Sequence, residues 1–253
     1  MSPVLEVKNL GIDFGGLTAV NKLNLEVNEK EIVGLIGPNG AGKTTVFNML
    51  TKVYEPSRGN IFLNGQDIEK MDTVEVNKAG VARTFQNIRL FGKLSVLDNV
   101  KTGMNNLYEY SVMDAIFHTK KRNENEKLIE EKADELLKIF SLYDVRDVEA
   151  DALPYGAQRR LEIARALATD PKVLLLDEPA AGMNPQETEE LMKTIRFVRD
   201  QFGICILLIE HDMSLVMNIC ERIYVLNYGT LLAKGSPDEI KNNEKVVKAY
   251  LGD

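Results

Sequence analysis

The stretch Gly37-Pro38-Asn39-Gly40-Ala41-Gly42-Lys43-Thr44-Thr45 places three glycines ahead of a lysine and two hydroxyls, after the apolar run Ile32–Ile36 and before the helix-forming Thr44–Leu50. That order, strand then glycine-rich loop then helix, is the pattern of a phosphate-binding loop. Glycine reaches backbone angles that turn successive N–H groups inward onto phosphate oxygens, and the helix that follows adds the positive end of its dipole. Lys43 would hold β- and γ-phosphates, and Thr44 would place its hydroxyl on Mg²⁺. A glycine-rich turn without a ligand is the plainer reading, and the strand and helix on either side count against it.

Val173-Leu174-Leu175-Leu176-Asp177-Glu178 is an apolar strand that stops in two adjacent carboxylates. Asp177 is suited to Mg²⁺, directly or through water, while Glu178 is placed to polarise a water for in-line attack on a γ-phosphate. Two carboxylates are needed because one committed to a metal makes a poor base. Alone, such a pair is as readily an acidic loop after a core strand; the phosphate loop upstream favours phosphoryl chemistry.

These groups need a scaffold, and 253 residues with 44% hydrophobic and 27% charged side chains suit one compact globular unit with a sizeable core. Against 31 basic residues stand 38 acidic ones, for a net charge of -7, which offers no overall footprint for nucleic acid or anionic lipid. The longest apolar stretch, Ile204–Ile209, is strand-sized and well short of the roughly 18 residues that span a bilayer. Met1–Asn9 carries no basic segment followed by an apolar signal core, so the chain is expected to stay in the cytoplasm. Cys205 and Cys220 sit in apolar runs without metal-ligand spacing and are expected to be buried free thiols.

Hydrophobic patterning predicts strands over Leu5–Asn9, Leu23–Val27 and Ile32–Ile36, then the helix Thr44–Leu50 and a strand Gly59–Leu63 closed by an Asn64-Gly65 turn. From about Ser95 to Asp151 strands vanish. Within that stretch Asn123–Phe140 carries Leu128, Ala133, Leu136, Leu137 and Phe140 at helical spacing, and the charges of Arg122–Lys132 read as a solvated face. Helix and strand then alternate: Ala157–Thr169, Val173–Leu176, Pro185–Phe202, Cys205–Ile209 and a helix from near Met213, which favours a parallel sheet. Arg222–Asn227 and Thr230–Lys234 form a hairpin about Tyr228-Gly229, and short helices close the chain from Ser236-Pro237 to Leu251.

Leu153-Pro154-Tyr155-Gly156-Ala157-Gln158-Arg159-Arg160, opening a helix, completes an ordered set with the phosphate loop, Gln86 in Arg83-Thr84-Phe85-Gln86, Asp177-Glu178, Ala181-Gly182-Met183-Asn184 and His211 in Glu210-His211-Asp212. In this set the chain resembles the ATP-binding cassette family, over about Pro3 to Gly252. The resemblance implies an α/β nucleotide-binding domain: a phosphate-loop core with a mostly parallel sheet, an antiparallel β flank and a helical subdomain. On that reading 1–94 and 152–253 make core and flank, and 95–151 the helical subdomain.

It also implies roles. Gln86 resembles the loop glutamine that approaches Mg²⁺ and the attacking water, with Asn87–Leu97 near the surface that docks a transmembrane partner. His211 resembles the switch histidine at the γ-phosphate; without the resemblance it would be an ordinary polar residue after a strand. Phe14 resembles the aromatic that stacks on adenine, though a lone aromatic there is equally a core residue. The Pro154-Tyr155-Gly156 segment would grip the γ-phosphate of ATP held by a second subunit.

Two departures affect that grip. Pro154 stands where the family's serine is usual and has neither hydroxyl nor N–H, so grip would fall to Tyr155, Gly156, the dipole and Gln158. Asn184 stands for the usual aspartate: it can hydrogen-bond across a dimer interface but brings no charge. With Arg83–Phe91 and the terminal Val246-Val247-Lys248-Ala249-Tyr250-Leu251-Gly252, the chain looks like the ATP-binding subunit of a branched-chain amino-acid importer. That implies ATP and Mg²⁺ as ligands, a second cassette ATPase, permease subunits and a solute-binding protein as partners, no nucleic acid, and a place on the cytoplasmic face of the membrane. The alternatives are the ATPase of a lipid or lipopolysaccharide exporter, with nearly the same motifs, and a soluble ATPase of DNA maintenance. The last would need long coiled-coil arms, and no sustained heptads occur between loop and signature.

Overall fold

The computed structural model describes residues 3–105 and 120–251. Of the helical stretch expected at 95–151, residues 106–119 lie outside the described residues, as do Met1 and Gly252 and the side chains of Arg122 and Asn123. The chain divides into two compact units, 1–86 with 172–253, and 87–171.

The first unit holds two sheets. β1 (Leu5–Phe14), β2 (Leu17–Val27), β4 (Arg58–Leu63) and β5 (Gln66–Asp67) form an antiparallel sheet in the order β2-β1-β4-β5. β1 and β2 run further than their sequence predicts. Asn9, the expected end of the first strand, and Lys22, just before the expected start of the second, take positive φ of 49 and 50 and form irregularities through which pairing resumes at Leu10 and Leu23.

The second sheet has the order β10-β9-β3-β8-β7-β6, made of β3 (Ile32–Ile36), β6 (Val81–Arg83), β7 (Val173–Asp177), β8 (Cys205–Ile209), β9 (Arg222–Asn227) and β10 (Thr230–Gly235). All neighbours are parallel except the β9–β10 hairpin. β3, β7 and β8 are buried at every position, the mark of strands covered on both faces. Four helices of this unit lie between strands, α1 (Lys43–Leu50), α2 (Thr73–Ala79), α6 (Pro185–Phe202) and α7 (Met213–Ile219), and α8 (Pro237–Lys241) and α9 (Glu244–Leu251) follow β10. The α/β class with parallel core and antiparallel flank agrees with the sequence. α2 and β6 were not legible, because a three-residue edge strand shows no alternation. Phe47, Met49 and Leu50 of α1 enter one core with Leu10, Leu23 and Leu25 of the flank and Leu175 and Leu207 of the parallel sheet. Both cysteines are buried and free, as expected, and burial pushes the Cys205 thiol up to about 12.

The second unit is helical, with α3 (Val96–Gly103), α4 (Lys120–Ile139) and α5 (Tyr155–Leu167). It is wider than the stretch expected, because α5 packs on α3 within this unit and so carries the signature residues with it. Its core face on α4 also differs. Leu128 is 40% exposed, and Ile129 is buried instead, in the series Ile129, Ala133, Leu136, Leu137 and Phe140. Starting from Ile129 the spacings are four, seven, eight and eleven, the stripe of a helix one face of which is covered. Arg146 pairs with Glu130 and Asp134 of α4, at 2.6 and 2.5 Å.

Ile129→Ala is therefore expected to cost about 2–5 kcal/mol of stability and Leu128→Ala less than about 1 kcal/mol, compared by urea unfolding.

Candidate functional site

β3 ends at Ile36, and the chain turns at once. Gly37 has φ 150, and a Cβ there would sit 2.1 Å from the Leu226 carbonyl oxygen of β9; at Gly42, φ 102, it would sit 2.8 Å from the Ala19 carbonyl oxygen. No side chain fits either place, so the loop is pressed against β9 and β2 as only glycine allows. Gly42 is also the N-cap of α1, which has no side-chain cap and no acidic residue in its first turn. The N-terminal N–H groups of α1 thus have no capping side chain, and the dipole's positive end faces the loop.

Lys43 is 6% exposed, and its Nζ donates to the carbonyl oxygens of Gly37 at 2.7 Å and Pro38 at 3.1 Å. Burial lowers its pKa, and the nearby charges of Glu178 and Asp177 oppose that shift. A buried ammonium among carbonyl oxygens has much to gain from an anion.

β7, β8 and β6 run parallel to β3, so their carboxyl ends emerge on the same edge as the loop. From β7 comes Glu178, whose φ of 49 is uncommon for a residue with a side chain. Its backbone N–H donates to Ile209 O at 2.9 Å. Its carboxylate meets two partners: Gln86 Nε2 donates to Oε2 at 2.7 Å, and His211 Nε2, at the end of β8, stands 2.8 Å from Oε1. A strained backbone held by three polar contacts is characteristic of a functional position.

The result is one cleft of about 820 Å³ lined by Asn39, Gly40, Ala41, Gly42, Lys43, Thr44 and Thr45 with Gln86, Glu178 and His211. Ten of the residues singled out in the sequence meet there. Gly37 and Pro38 serve through their carbonyl oxygens on Lys43. Asp177 is buried: its Oδ2 accepts from Arg83 Nη2 at 2.7 Å, and its N–H donates to Thr84 Oγ1 at 3.3 Å. Arg83 also donates to Asn48 Oδ1 of α1 at 2.7 Å, tying helix to strand.

The Phe14 ring is 45% exposed and stands edge-on to Tyr54, centroids 5.4 Å apart, just before Leu17, Thr18 and Ala19, which with Tyr228 and Gly229 also line the cleft. Sequence reasoning passed over Leu17, Thr18, Ala19, Tyr228 and Gly229 as cleft residues, although the Tyr228-Gly229 turn itself was visible. Arg83 was quoted as part of a motif, with no sign of its buried partner.

The signature residues belong to the helical unit. Pro154 is the N-cap of α5, without a side-chain cap, followed by the half-exposed Tyr155 and the buried Gly156. Gln158, offered as part of the phosphate grip, has its Nε2 on the Leu153 carbonyl oxygen at 2.9 Å. The exposed Asn184 caps α6: its Oδ1 accepts from Glu187 N–H at 3.0 Å while its N–H donates to Glu187 Oε2 at 2.9 Å, a capping box.

The family model described as ABC transporter matches residues 20–181, from β2 through the turn after β7. The chain belongs to the ABC transporter family. A second model, described as Branched-chain amino acid ATP-binding cassette transporter, matches residues 230–253. Among curated relatives, the high-affinity branched-chain amino acid transport ATP-binding protein LivG of Escherichia coli is 47% identical over 253 residues, 99% of this chain and 98% of its own. The lipopolysaccharide export system ATP-binding protein LptB of Haemophilus influenzae is 35% identical over 250 residues, 99% and 98% of the two chains. The solved ADP conformation of an ATP-binding cassette of an ABC transporter superposes with a TM-score of 0.87 at 29% identity, covering 100% of both chains. This ABC protein is thus an ATPase of that family, and no helix among the described residues is long and apolar enough to cross a membrane.

In this ABC ATPase the Lys43 ammonium is the fixed charge nearest the loop. Lys43→Ala is expected to weaken ATP binding about ten- to a hundredfold by calorimetry, the loss of charge-assisted hydrogen bonds.

Proposed function

We propose that this chain is the ATP-hydrolysing subunit of an importer of branched-chain or other hydrophobic amino acids. On this reading it pairs with a second cassette ATPase, related chain or second copy, and lies at the cytoplasmic face of the membrane through permease subunits served by a solute-binding protein. The observation that carries the ATPase part is the meeting of Glu178 with Gln86 and His211 in the cleft of the phosphate loop. The solute class is supported by the match over 230–253 and by higher identity to LivG than to LptB.

Thr44 supplies a hydroxyl, Asp177 a carboxylate and Gln86 an amide carbonyl, the hard oxygen donors that Mg²⁺ takes alongside phosphates and water. Those three would hold the ion, and bound Mg²⁺ would neutralise charge between β- and γ-phosphates. The loop amides and Lys43 bind the phosphates and take up the negative charge that builds on them. Glu178, held between Gln86 and His211, orients a water toward the γ-phosphorus. As the water oxygen bonds to that phosphorus, the bond to the β,γ-bridging oxygen breaks and the proton passes to the Glu178 carboxylate. His211 keeps Glu178 in place and faces the γ-phosphate. Pro154, Tyr155 and Gly156 of the second subunit would close the site over the nucleotide. Asn184 caps α6 and lends no charge to that closure.

Glu178→Gln is expected to bind ATP normally while kcat falls about 10²–10⁴-fold, and a variant as active as the parent would remove Glu178 from the role of base. By light scattering the same variant should shift from monomer to dimer with Mg-ATP; a monomer that still binds ATP would point to a different cassette chain as partner. With its co-purifying permease in proteoliposomes, ATP-dependent uptake of leucine is expected. ATPase stimulation by lipopolysaccharide without leucine uptake would favour the exporter reading.

A further inference from the structure

Glu210 follows β8 directly, one residue before His211, and is 4% exposed. It is not among the residues that line the cleft. Among the described residues it makes no ion pair, and its carboxylate is held by backbone instead. Oε1 accepts from the Ala180 N–H at 2.7 Å, and Oε2 accepts from the His211 N–H at 3.0 Å and the Asp212 N–H at 3.4 Å. Burial raises its pKa, and the three N–H donors work against that rise.

A carboxylate buried without a cation is costly, and apolar packing would stabilise the same strand end more simply. What the carboxylate does that an apolar side chain cannot is join two loops. One follows β7 and runs from Glu178 through Ala180; the other follows β8 and carries His211 and Asp212. The two side chains whose separation matters, Glu178 Oε1 and His211 Nε2 at 2.8 Å, sit one on each loop. Direct backbone pairing between these loops begins and ends with Glu178 N–H to Ile209 O, which lies before the histidine. Beyond that point, among the described residues, the contacts that fix the His211 backbone relative to the Glu178 loop run through Glu210.

We propose that Glu210 is a positioning residue for hydrolysis, a brace that holds the His211 loop in register with the Glu178 loop so that the imidazole meets the catalytic carboxylate. This rests on the roles given to Glu178 and His211 above. The brace acts through backbone N–H groups and therefore needs an acceptor on both oxygens. Glutamine keeps the size but turns one acceptor into an NH₂ that faces an N–H, so one loop must let go.

The test is steady-state ATPase together with ATP affinity by calorimetry for Glu210→Gln, alone and combined with His211→Ala. Glu210→Gln is expected to lower kcat about ten- to a hundredfold and to leave the affinity for ATP within about twofold. Because Glu210 acts through His211, adding Glu210→Gln to His211→Ala should cost less than about a further twofold in kcat. Glu210→Asp, which keeps both acceptors on a shorter stem, should fall between and show the same lack of additivity. A parental kcat for Glu210→Gln would overturn the brace. So would an equal fold-loss in both backgrounds, or a loss of ATP affinity that matches the loss of kcat, since each marks a merely structural residue. If Glu178→Gln and His211→Ala themselves turn over at the parental rate, it is the hydrolytic reading of the cleft that fails. If they fall and Glu210→Gln does not, only the brace fails.

Discussion

The phosphate loop, Asp177, Glu178 and His211 hang from one hydrogen-bonded ladder, the parallel pairing of β3, β8 and β7. Leu35 lies opposite Ile209, and Ile209 opposite Asp177, so the three strands leave the sheet at one edge and at one level. Their side chains are buried without exception, which makes the register expensive to change: a slip of one residue would turn each strand's side chains to the opposite face. The loops inherit that rigidity. The phosphate loop, Glu178 and His211 come from positions 37–43, 178 and 211, and no local preference could bring them to one cleft. The ladder does so before any side chain of the cleft is considered.

Placing charges at this edge creates a second constraint, because the sheet end is dry. Each ion meets it differently. Asp177 pairs with Arg83, which also reaches α1 through Asn48. Glu210 takes three backbone donors. Lys43 has only carbonyl oxygens as direct partners, the weakest of the three solutions for a buried charge. The differences fit the roles. Glu210, which the proposal makes a holder of geometry, has backbone donors on both oxygens, Asp177 is paired through Oδ2, and the ammonium is left with neutral acceptors that a phosphate can outbid.

The contrast explains what the sequence made legible. Motifs whose meaning lies in local conformation were readable: the glycines pressed against β9 and β2, the buried runs of the parallel strands, the hairpin at Tyr228-Gly229. Residues whose meaning lies in a distant partner were not. Arg83 and Asp177 are paired across β6 and β7, and Glu210 reaches Ala180 thirty positions away; neither leaves a local trace. The edge-on contact of Phe14 with Tyr54 is likewise brought by the fold. Leu128 and Ile129 show a finer limit: either starts a helical stripe, and only packing decides which. Asn184 is the exception, because Asn-Pro with Glu187 three residues on is a legible capping box that the family comparison obscured.

Capping also separates the helices by purpose. Asp72, Ser95, Asn184, Asp212 and Ser236 each accept a backbone N–H at the start of their own helix. Gly42 and Pro154 accept none, and neither helix has an acidic residue in its first turn. A side-chain oxygen at either place would satisfy the N-terminal donors and, when charged, cancel the dipole's positive end, at a gain of about 0.5–2 kcal/mol in helix stability. That gain is forgone at the two helix starts which the motifs assign to phosphate. In the proposed pair of subunits these are also the two ends that approach one nucleotide, α1 from the chain that binds it and α5 from the other. Pro154 then reads as compatible with the family's chemistry rather than as a loss. A serine there would offer a hydroxyl to phosphate but could also turn it onto its own helix, whereas proline fixes the start of α5 and leaves the dipole to act on the ligand.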